Sequence, residues 1–266
     1  MNLTYHKIRG MVSDEECENL NAMAKNVKKT AVELGSFGGR SAVAIASGLP
    51  DGAKLHCFDR FTFTELSKDY RDFVPDQVGS SFRSLFDANT SAYRGKIVVY
   101  DRDIRMSHFE DDIEFLHIDC SEGRPLHFHI AVAFFPCVAP GGYLLQQDFF
   151  YHRSYYLPGL MRLLGDHFEY ERDVETTRIY RCKERVTHRQ VLDILAERID
   201  YVAHIRETCK GLDPVRQATL LTQEIFYLKK MGRKKEAAGL GMKIMETRHE
   251  QVIRDNISLA MGIRKA

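Results

Sequence analysis

Apolar positions along the chain come in short blocks that alternate between strand-like and helix-like spacing. The strand-like blocks cover residues 31–34, 54–59, 96–101, 113–119, 143–148, 168–173 and 176–182. Before and between the first five of these blocks, apolar residues recur every three or four positions. This spacing predicts helices over 13–28, 40–47, 76–92 and 124–138. The alternation predicts an α/β, Rossmann-like, doubly wound sheet of seven mostly parallel strands, closed by an antiparallel C-terminal hairpin.

The strand pattern ends at about residue 186, and the remaining spacing is helical. Helices are predicted over 188–209, 215–231 and 234–262. We therefore expect a first domain over residues 1–186 and an all-helical extension over 187–266, in which residues 218–249 weakly resemble a tetratricopeptide hairpin. The apolar stripes of the extension need a packing partner. The sequence leaves that partner open between the first domain, a second copy of the chain in a homo-oligomer, and another protein.

Composition narrows the class of protein. Of 266 residues, 44% are hydrophobic and 28% are charged, which is typical of a globular chain. The net charge of +1 and the lack of long apolar runs predict neither a nucleic-acid partner nor a membrane span. The extension is the basic part, with 15 Lys and Arg against 10 Asp and Glu. Six cysteines without a Cys-x-x-Cys pair predict reduced thiols and a cytoplasmic protein.

A glycine-rich loop joins the first predicted strand to a helix. Its sequence, Glu33-Leu34-Gly35-Ser36-Phe37-Gly38-Gly39-Arg40-Ser41, lets a ligand approach the backbone at the N-terminus of the helix. The order Gly-x-x-Gly-Gly departs from the dinucleotide fingerprint, which disfavours NAD. Asp59 ends the second strand, where a carboxylate can accept both hydroxyls of a ribose. Loop and acid together predict a bound nucleoside.

Two more acids follow strands that are adjacent in the predicted sheet. Asp119 follows the strand at 113–119 and Asp148 the strand at 143–148. The carboxyl ends of parallel strands meet at one edge, so these side chains could share an oxygen-ligated cation such as Mg²⁺, Ca²⁺ or Mn²⁺. They could equally cap loops or bind substrate hydroxyls, and the sequence leaves both alternatives open.

Three segments, VELGSFGGRS, EFLHIDCSEG and APGGYLLQQDFF, together resemble the class I S-adenosylmethionine-dependent methyltransferases. The likeness covers about residues 28–183 and is greatest to the bacterial branch that acts on sugars and secondary metabolites, alongside macrocin O-methyltransferase and cephalosporin hydroxylase-like proteins. It implies methyl transfer to a hydroxyl of a small polar acceptor: a saccharide, a nucleotide sugar or a secondary metabolite. The cofactor contacts that it implies are Glu33, Gly35, Ser36, Gly38, Gly39, Ser41, Asp59, Arg60 and, near the adenine, Asp101 or Asp103.

The chain also departs from that family. Ser121 and Glu122 stand where the family has an acid and a histidine, and Gln147 replaces the first of two paired acids. Magnesium held by Asp119, Asp148 and Gln147 is one alternative and metal-free chemistry is the other. The position of His152 just past Asp148 favours His152 as the catalytic base, and Asp119 is predicted as a second catalytic residue. Another metal-dependent enzyme on this fold, of hydrolase or hydroxylase type, and a non-catalytic nucleoside-binding module with a partner-binding tail stay open.

Overall fold

The computed structural model describes residues 4–63, 78–120, 123–248 and 250–262. Its strands are β1 (Thr30–Leu34), β2 (Lys54–Asp59), β3 (Ile97–Asp101), β4 (Ile113–Ile118), β5 (Val138–Gln146), β6 (Phe168–Val174) and β7 (Thr177–Cys182). The α-helices of these ranges are α1 (Asp14–Ala24), α2 (Arg40–Gly48), α3 (Arg83–Asn89), α4 (Arg124–Ala133), α5 (Leu157–Leu163), α6 (His188–Ala196), α7 (Tyr201–Cys209), α8 (Pro214–Lys230), α9 (Lys234–Thr247) and α10 (Gln251–Met261).

The strands form one seven-stranded sheet in the order β3-β2-β1-β4-β5-β7-β6. Neighbours from β3 to β5 pair in parallel, and β7 runs antiparallel to both β5 and β6. The predicted fold class is confirmed. The chain order reverses between β1 and β4, so the carboxyl ends of these two strands define the crevice in which such sheets bind ligands.

Helices cover both faces of the sheet, because alternate residues of each buried strand point to opposite sides. On one face, Ala31, Leu55 and Phe115 pack against α1 and α2. On the other, Val32 and Leu116 pack with the apolar side chains of α4 and α5. The core is therefore two apolar layers with the sheet between them.

Four predicted elements of the first domain differ in extent. The helix predicted over 124–138 ends at Ala133, and a short 3-10 helix, Phe135–Cys137, leads into β5. The helix predicted over 76–92 begins only at Arg83, because Thr62 bridges to Ser81 and keeps that segment extended. Residues 76 and 77 of that prediction lie outside the described ranges. Ser121 and Glu122 lie outside them too. The first helix ends at Ala24, and its capping box is confirmed. Strand β5 begins at Val138, so Pro140-Gly141-Gly142 lies within it at a register shift and does not form a turn before it.

Two long predicted helices of the extension are each divided in two. The prediction for 188–209 becomes α6 and α7, since the chain breaks at Ile199, whose side chain packs over Gly159 of α5. The prediction for 234–262 becomes α9 and α10, which lie with α8 around a small apolar cluster of their own.

The extension packs against the first domain. Val191, Tyr201 and Leu220 belong to the same apolar cluster as the α4 and α5 side of the sheet. This contact gives the apolar stripes a partner within the chain. The division into domains at residue 186 stays a prediction. No helix within the described ranges combines the length and apolar character needed to cross a membrane.

We expect the fold to lose stability in acid, because two histidines are buried. Burial lowers the pKa of His127, whose Nδ1 lies 2.9 Å from the Tyr156 hydroxyl, to about 4, and it lowers the pKa of His152 to about 4 as well. A group whose pKa falls on folding stabilises the fold above its unfolded pKa, near 6.5, and loses that contribution as the pH falls toward 4. For the buried His127, this loss should reach roughly 2–3 kcal/mol of unfolding free energy at pH 4.5.

Urea unfolding of the wild type, His127→Gln and His188→Gln at pH 7 and 4.5 checks this expectation. His188 is exposed on α6 and serves as the matched control. The His127 variant should lose less stability in acid than the wild type, and the His188 variant should lose as much as the wild type. Equal acid losses in all three proteins would contradict the assignment.

Candidate active site

A cavity of about 610 Å³ opens at the carboxyl edge of β1, β2, β4 and β5. The sequence predicts that one end of this cavity takes the cofactor and the other the acceptor, and we call the two ends the cofactor arm and the acceptor arm after these predictions. The cofactor arm follows β1 to β3 and is lined by Gly35, Phe37, Asp59, Arg60, Thr62, Phe82, Asp103 and Ile104. The acceptor arm lies among α1, the end of β5 and the β6–β7 turn, and is lined by Met11, Val12, Ser13, Glu16, Gln147, Asp148, Tyr151, Arg153, Glu175, Thr176 and Leu259. Asp119, Cys120 and Leu126 line the junction.

The glycine loop needs glycine at Gly35 because the backbone of Asp119 lies against it. Gly35 has a φ of 86°, and an added Cβ would lie 2.1 Å from the Asp119 carbonyl oxygen. Gly39, which precedes α2, has a φ of 89°. The loop therefore packs its backbone against the end of β4 and leaves the cavity free of side chains at Gly35.

Asp59 holds this loop in place. Its Oδ2 accepts hydrogen bonds from the backbone N–H of Ser36 and of Phe37, at 2.9 and 3.0 Å, and its Oδ1 accepts from the Phe61 N–H at 2.7 Å. Burial raises the pKa of Asp59, and these three donors oppose the rise. A carboxylate offers about four lone-pair positions, so about one is left for a ribose hydroxyl. Asp59, which is predicted to bind the ribose, thus also fixes the conformation of the glycine loop.

We expect Asp59→Ala to weaken binding of S-adenosylhomocysteine by at least about 100-fold and to lower the unfolding free energy by about 2–4 kcal/mol, because three backbone donors lose a charged acceptor. Calorimetric titration and urea unfolding measure the two effects. Asp51→Ala, at a fully exposed carboxylate, is the control. Unchanged affinity in the Asp59 variant would rule out its role in cofactor binding.

A buried ion pair lies beneath the loop. Glu33 and His117 are paired in the register of β1 and β4, and both side chains are fully buried. Their Oε1 and Nδ1 atoms lie 3.4 Å apart. Burial alone would lower the pKa of His117, but Glu33, with smaller contributions from the Asp119 and Glu16 charges, outweighs burial and the pKa is raised. Glu33, predicted to contact the cofactor, is thus placed under the loop and outside the cavity lining.

Asp119 is the carboxylate at the junction of the two arms. Burial raises the pKa of Asp119 to about 7, with the His117 charge lowering it and the Asp148 charge raising it further. A carboxyl group with this pKa exchanges its proton near neutral pH, which is the property that general acid–base catalysis needs. Asp148, in a backbone conformation with a φ of 56°, lines the same cavity from the end of β5.

Gln147 and Glu16 form a hydrogen-bond network with the β6–β7 turn in the wall of the acceptor arm. Glu16 uses Oε2 for the capping box of α1, and its Oε1 accepts from Gln147 Nε2 at 3.2 Å and from the Thr176 hydroxyl at 2.9 Å. The Gln147 amide oxygen in turn accepts a hydrogen bond from Thr177. The sequence indicates only the capping role of Glu16, because its second oxygen contacts residues far along the chain.

These contacts bear on the metal prediction. The amide oxygen of Gln147 accepts a hydrogen bond from Thr177 and carries no charge, so Asp119 and Asp148 are the charged groups among the three predicted ligands. Across residues 4–63, 78–120, 123–248 and 250–262, no group of three or more His, Cys, Asp or Glu side chains could hold a metal ion. The donor set of these residues does not fit a resident Mg²⁺ ion, and we assign no chemical step to one.

Only some of the other predicted site residues line the cavity. Gly35, Asp59 and Arg60 line the cofactor arm, whereas Ser36, Gly38, Gly39 and Ser41 are buried in the loop and the first turn of α2, outside the cavity lining. Asp101 lies outside it too and pairs with Arg83 at 3.4 Å. Of the two acids weighed for the adenine end, Asp103 is the one that lines the cavity.

His152 is not brought to Asp119. Its side chain is buried against Phe226 of α8, with ring centroids 5.4 Å apart, and its neighbours Tyr151 and Arg153 line the cavity in its place. The sequence position of His152 correctly predicts a loop beside the cavity, but contacts with α8 decide which way its side chain points. A base role for His152 would require this loop to rearrange.

Comparison with known proteins agrees with this geometry. Residues 32–149 match the family model of a methyltransferase domain. The solved structure of the O-methyltransferase NovP superposes with a TM-score of 0.53 at 13% identity, over 66% of this chain and 82% of that one. A protein from Corynebacterium glutamicum superposes with a TM-score of 0.52 at 14% identity, over 70% of this chain and 92% of that one. The comparison with curated protein sequences finds no match.

The sheet and its glycine loop thus have a class I methyltransferase fold, and residues 32–149 match the model of a methyltransferase domain. The resemblance seen in three sequence segments is confirmed by this match and by the fold.

Proposed function

We propose that the protein transfers a methyl group from S-adenosylmethionine to a hydroxyl of a small polar acceptor: a saccharide, a nucleotide sugar or a related secondary metabolite. The observation that carries this proposal is the position of Asp119, where the glycine loop meets an arm lined by polar side chains. The name of NovP, an O-methyltransferase, supports transfer to oxygen.

The volume of the cavity and the residues of the cofactor arm support binding of S-adenosylmethionine. The whole cavity, about 610 Å³, falls within the range of small-molecule sites, and Gly35 leaves the backbone open to a ligand. We assign the ribose to Asp59, and the adenine to the end lined by Phe82, Asp103 and Ile104. When bound, the cofactor supplies an electrophilic methyl group.

Asp119 is our candidate for the base. With the cofactor bound, an O–CH3 bond would form as the S–CH3 bond breaks and S-adenosylhomocysteine leaves. The acceptor hydroxyl would lose its proton in this step, and the Asp119 carboxylate would take up that proton. Its pKa of about 7 leaves a large fraction ionised at neutral pH while keeping it basic enough to accept a proton. Near Asp119, the wall of the acceptor arm would hold the hydroxyl in line, which supplies much of the rate.

The lining of the acceptor arm favours a polyhydroxylated acceptor. Asp148, Glu175 and Thr176 present oxygen atoms that accept hydrogen bonds from hydroxyl groups, and Arg153 adds a donor and a positive charge. The Tyr151 ring supplies a flat surface for a sugar face.

Transfer of labelled methyl groups from S-adenosylmethionine to UDP-glucose, UDP-N-acetylglucosamine and dTDP-rhamnose, with catechol as an aromatic comparator, tests the acceptor class. We expect product from at least one sugar nucleotide and none from catechol. Product from catechol alone would overturn the acceptor class. The absence of any product would count against catalysis on these acceptors.

Two further proposals concern the setting of this activity. All six cysteines are free, which supports a reducing, cytoplasmic compartment. The exposed apolar side chains of the extension, Met231 and Met242 among them, support a role in self-association or in docking a partner protein. The extension has too few aromatic residues interleaved with its basic ones to favour nucleic acid.

A further inference from the structure

The loop after Asp148, here called the acceptor loop (residues 148–156), forms one wall of the acceptor arm. Asp148, Tyr151 and Arg153 line the cavity, and Asp148 itself adopts a left-handed backbone conformation. Aspartate tolerates this conformation better than most residues other than glycine, but it is still a minor conformation, and contacts around the loop help to hold it.

One side chain of the extension binds this loop twice. Gln223 of α8 is fully buried, and its Nε2 donates to the carbonyl oxygen of Phe149 at 2.6 Å and to that of Tyr151 at 3.1 Å. Two carbonyl oxygens at these distances require a donor, which fixes the orientation of the Gln223 amide. Buried carbonyl groups outside helices and strands need such partners.

The rest of α8 packs along the same loop. Phe226 lies against His152, and Lys230 Nζ lies 3.2 Å from the Tyr155 hydroxyl. From the other side, Leu259 of α10 lines the acceptor arm and is half exposed, at 50%. The extension therefore reaches the arm both through the loop that it binds and through a side chain of its own.

We propose that Gln223 is a positioning residue that sets the acceptor loop, so that the helical extension completes the acceptor arm of the site. This inference rests on the proposed function for the meaning of the arm, but the positioning itself can be measured without an acceptor. It assigns the extension a part in acceptor recognition in addition to any role in assembly.

The test uses a fluorescent reporter, because the chain contains no tryptophan. Tyr151→Trp places a single indole at the cavity wall and keeps the backbone carbonyl that Gln223 binds. In this background Gln223→Met removes both hydrogen bonds at similar volume, and Gln223→Asn keeps an amide that is too short to make both. The matched control is Gln217→Met, because Gln217 of the same helix donates to the Leu212 carbonyl and neither residue lines the cavity.

We expect the two Gln223 variants to shift the emission of this indole to the red and to raise its quenching by acrylamide about twofold or more, since loss of a buried hydrogen bond favours local opening. Gln217→Met should leave both signals unchanged at a comparable loss of melting temperature. Calorimetry should give the same affinity for S-adenosylhomocysteine in all variants.

Unchanged emission and quenching in both Gln223 variants, or an equal change in the Gln217 variant, would overturn the positioning role. Failure of every variant, including the parent, to bind S-adenosylhomocysteine would count against the proposed function and leave the loop result standing. The two failures are therefore distinguishable.

Discussion

Asp119→Asn is expected to lower kcat by about 100- to 10,000-fold while the affinity for S-adenosylhomocysteine changes less than about threefold. Asparagine keeps the shape of the side chain and cannot take up a proton. In the wild type, kcat/KM should rise with pH through about 7, because the carboxyl group must be ionised to act as a base and its pKa lies near that value. The variant should lose this rise.

Asp148→Asn is the matched control, since it changes a neighbouring carboxylate of the same cavity. We expect a smaller loss of kcat and a retained pH profile. Repeating both measurements in EDTA, with and without added Mg²⁺, separates a base from a metal ligand. If both variants lose the same amount of kcat and Mg²⁺ restores it, the role of Asp119 as the base is contradicted. Full activity of Asp119→Asn would contradict it as well.

Gly35→Ala should abolish detectable cofactor binding and lower the unfolding free energy by about 2–4 kcal/mol. The added methyl group would lie 2.1 Å from the Asp119 carbonyl oxygen and 2.8 Å from its carbon, and the φ of 86° disfavours any side chain. These neighbours are backbone atoms in a parallel sheet, so the loop must move away from β4 and from the cavity.

Gly95→Ala is the control for this change. A Cβ at Gly95 meets no described atom within 4 Å, so the variant should match the wild type or gain a few tenths of a kcal/mol. Calorimetry and urea unfolding of the three proteins give the comparison. Normal affinity in Gly35→Ala would show that the loop does not need its close contact with Asp119.

Much of the fold could be predicted because its signals are local. The capping box at Ser13, the glycine loop and the apolar blocks each depend on a few neighbouring residues, and the rule for parallel sheets then brings the ends of β1, β2, β4 and β5 together. That rule placed Asp59, Asp119 and Asp148 at one cavity without any knowledge of side-chain contacts.

The rest depends on contacts between distant parts of the chain. Glu16 meets Thr177 across 161 positions, and Gln223 meets Phe149 across 74. The packing of α8 decides that His152 points away from the cavity, and Ile199 over Gly159 decides where the helix after residue 188 breaks. No periodicity in the sequence encodes these choices, because each is made by the shape of a partner surface.

The most direct test of the central claim is a calorimetric titration of the full chain with S-adenosylhomocysteine. We predict micromolar affinity, about 8 kcal/mol of binding free energy, for the wild type and no measurable heat for Asp59→Ala. A folded wild-type protein that binds no S-adenosylhomocysteine would contradict the assignment of the cavity at β1, β2 and β4 as a cofactor site.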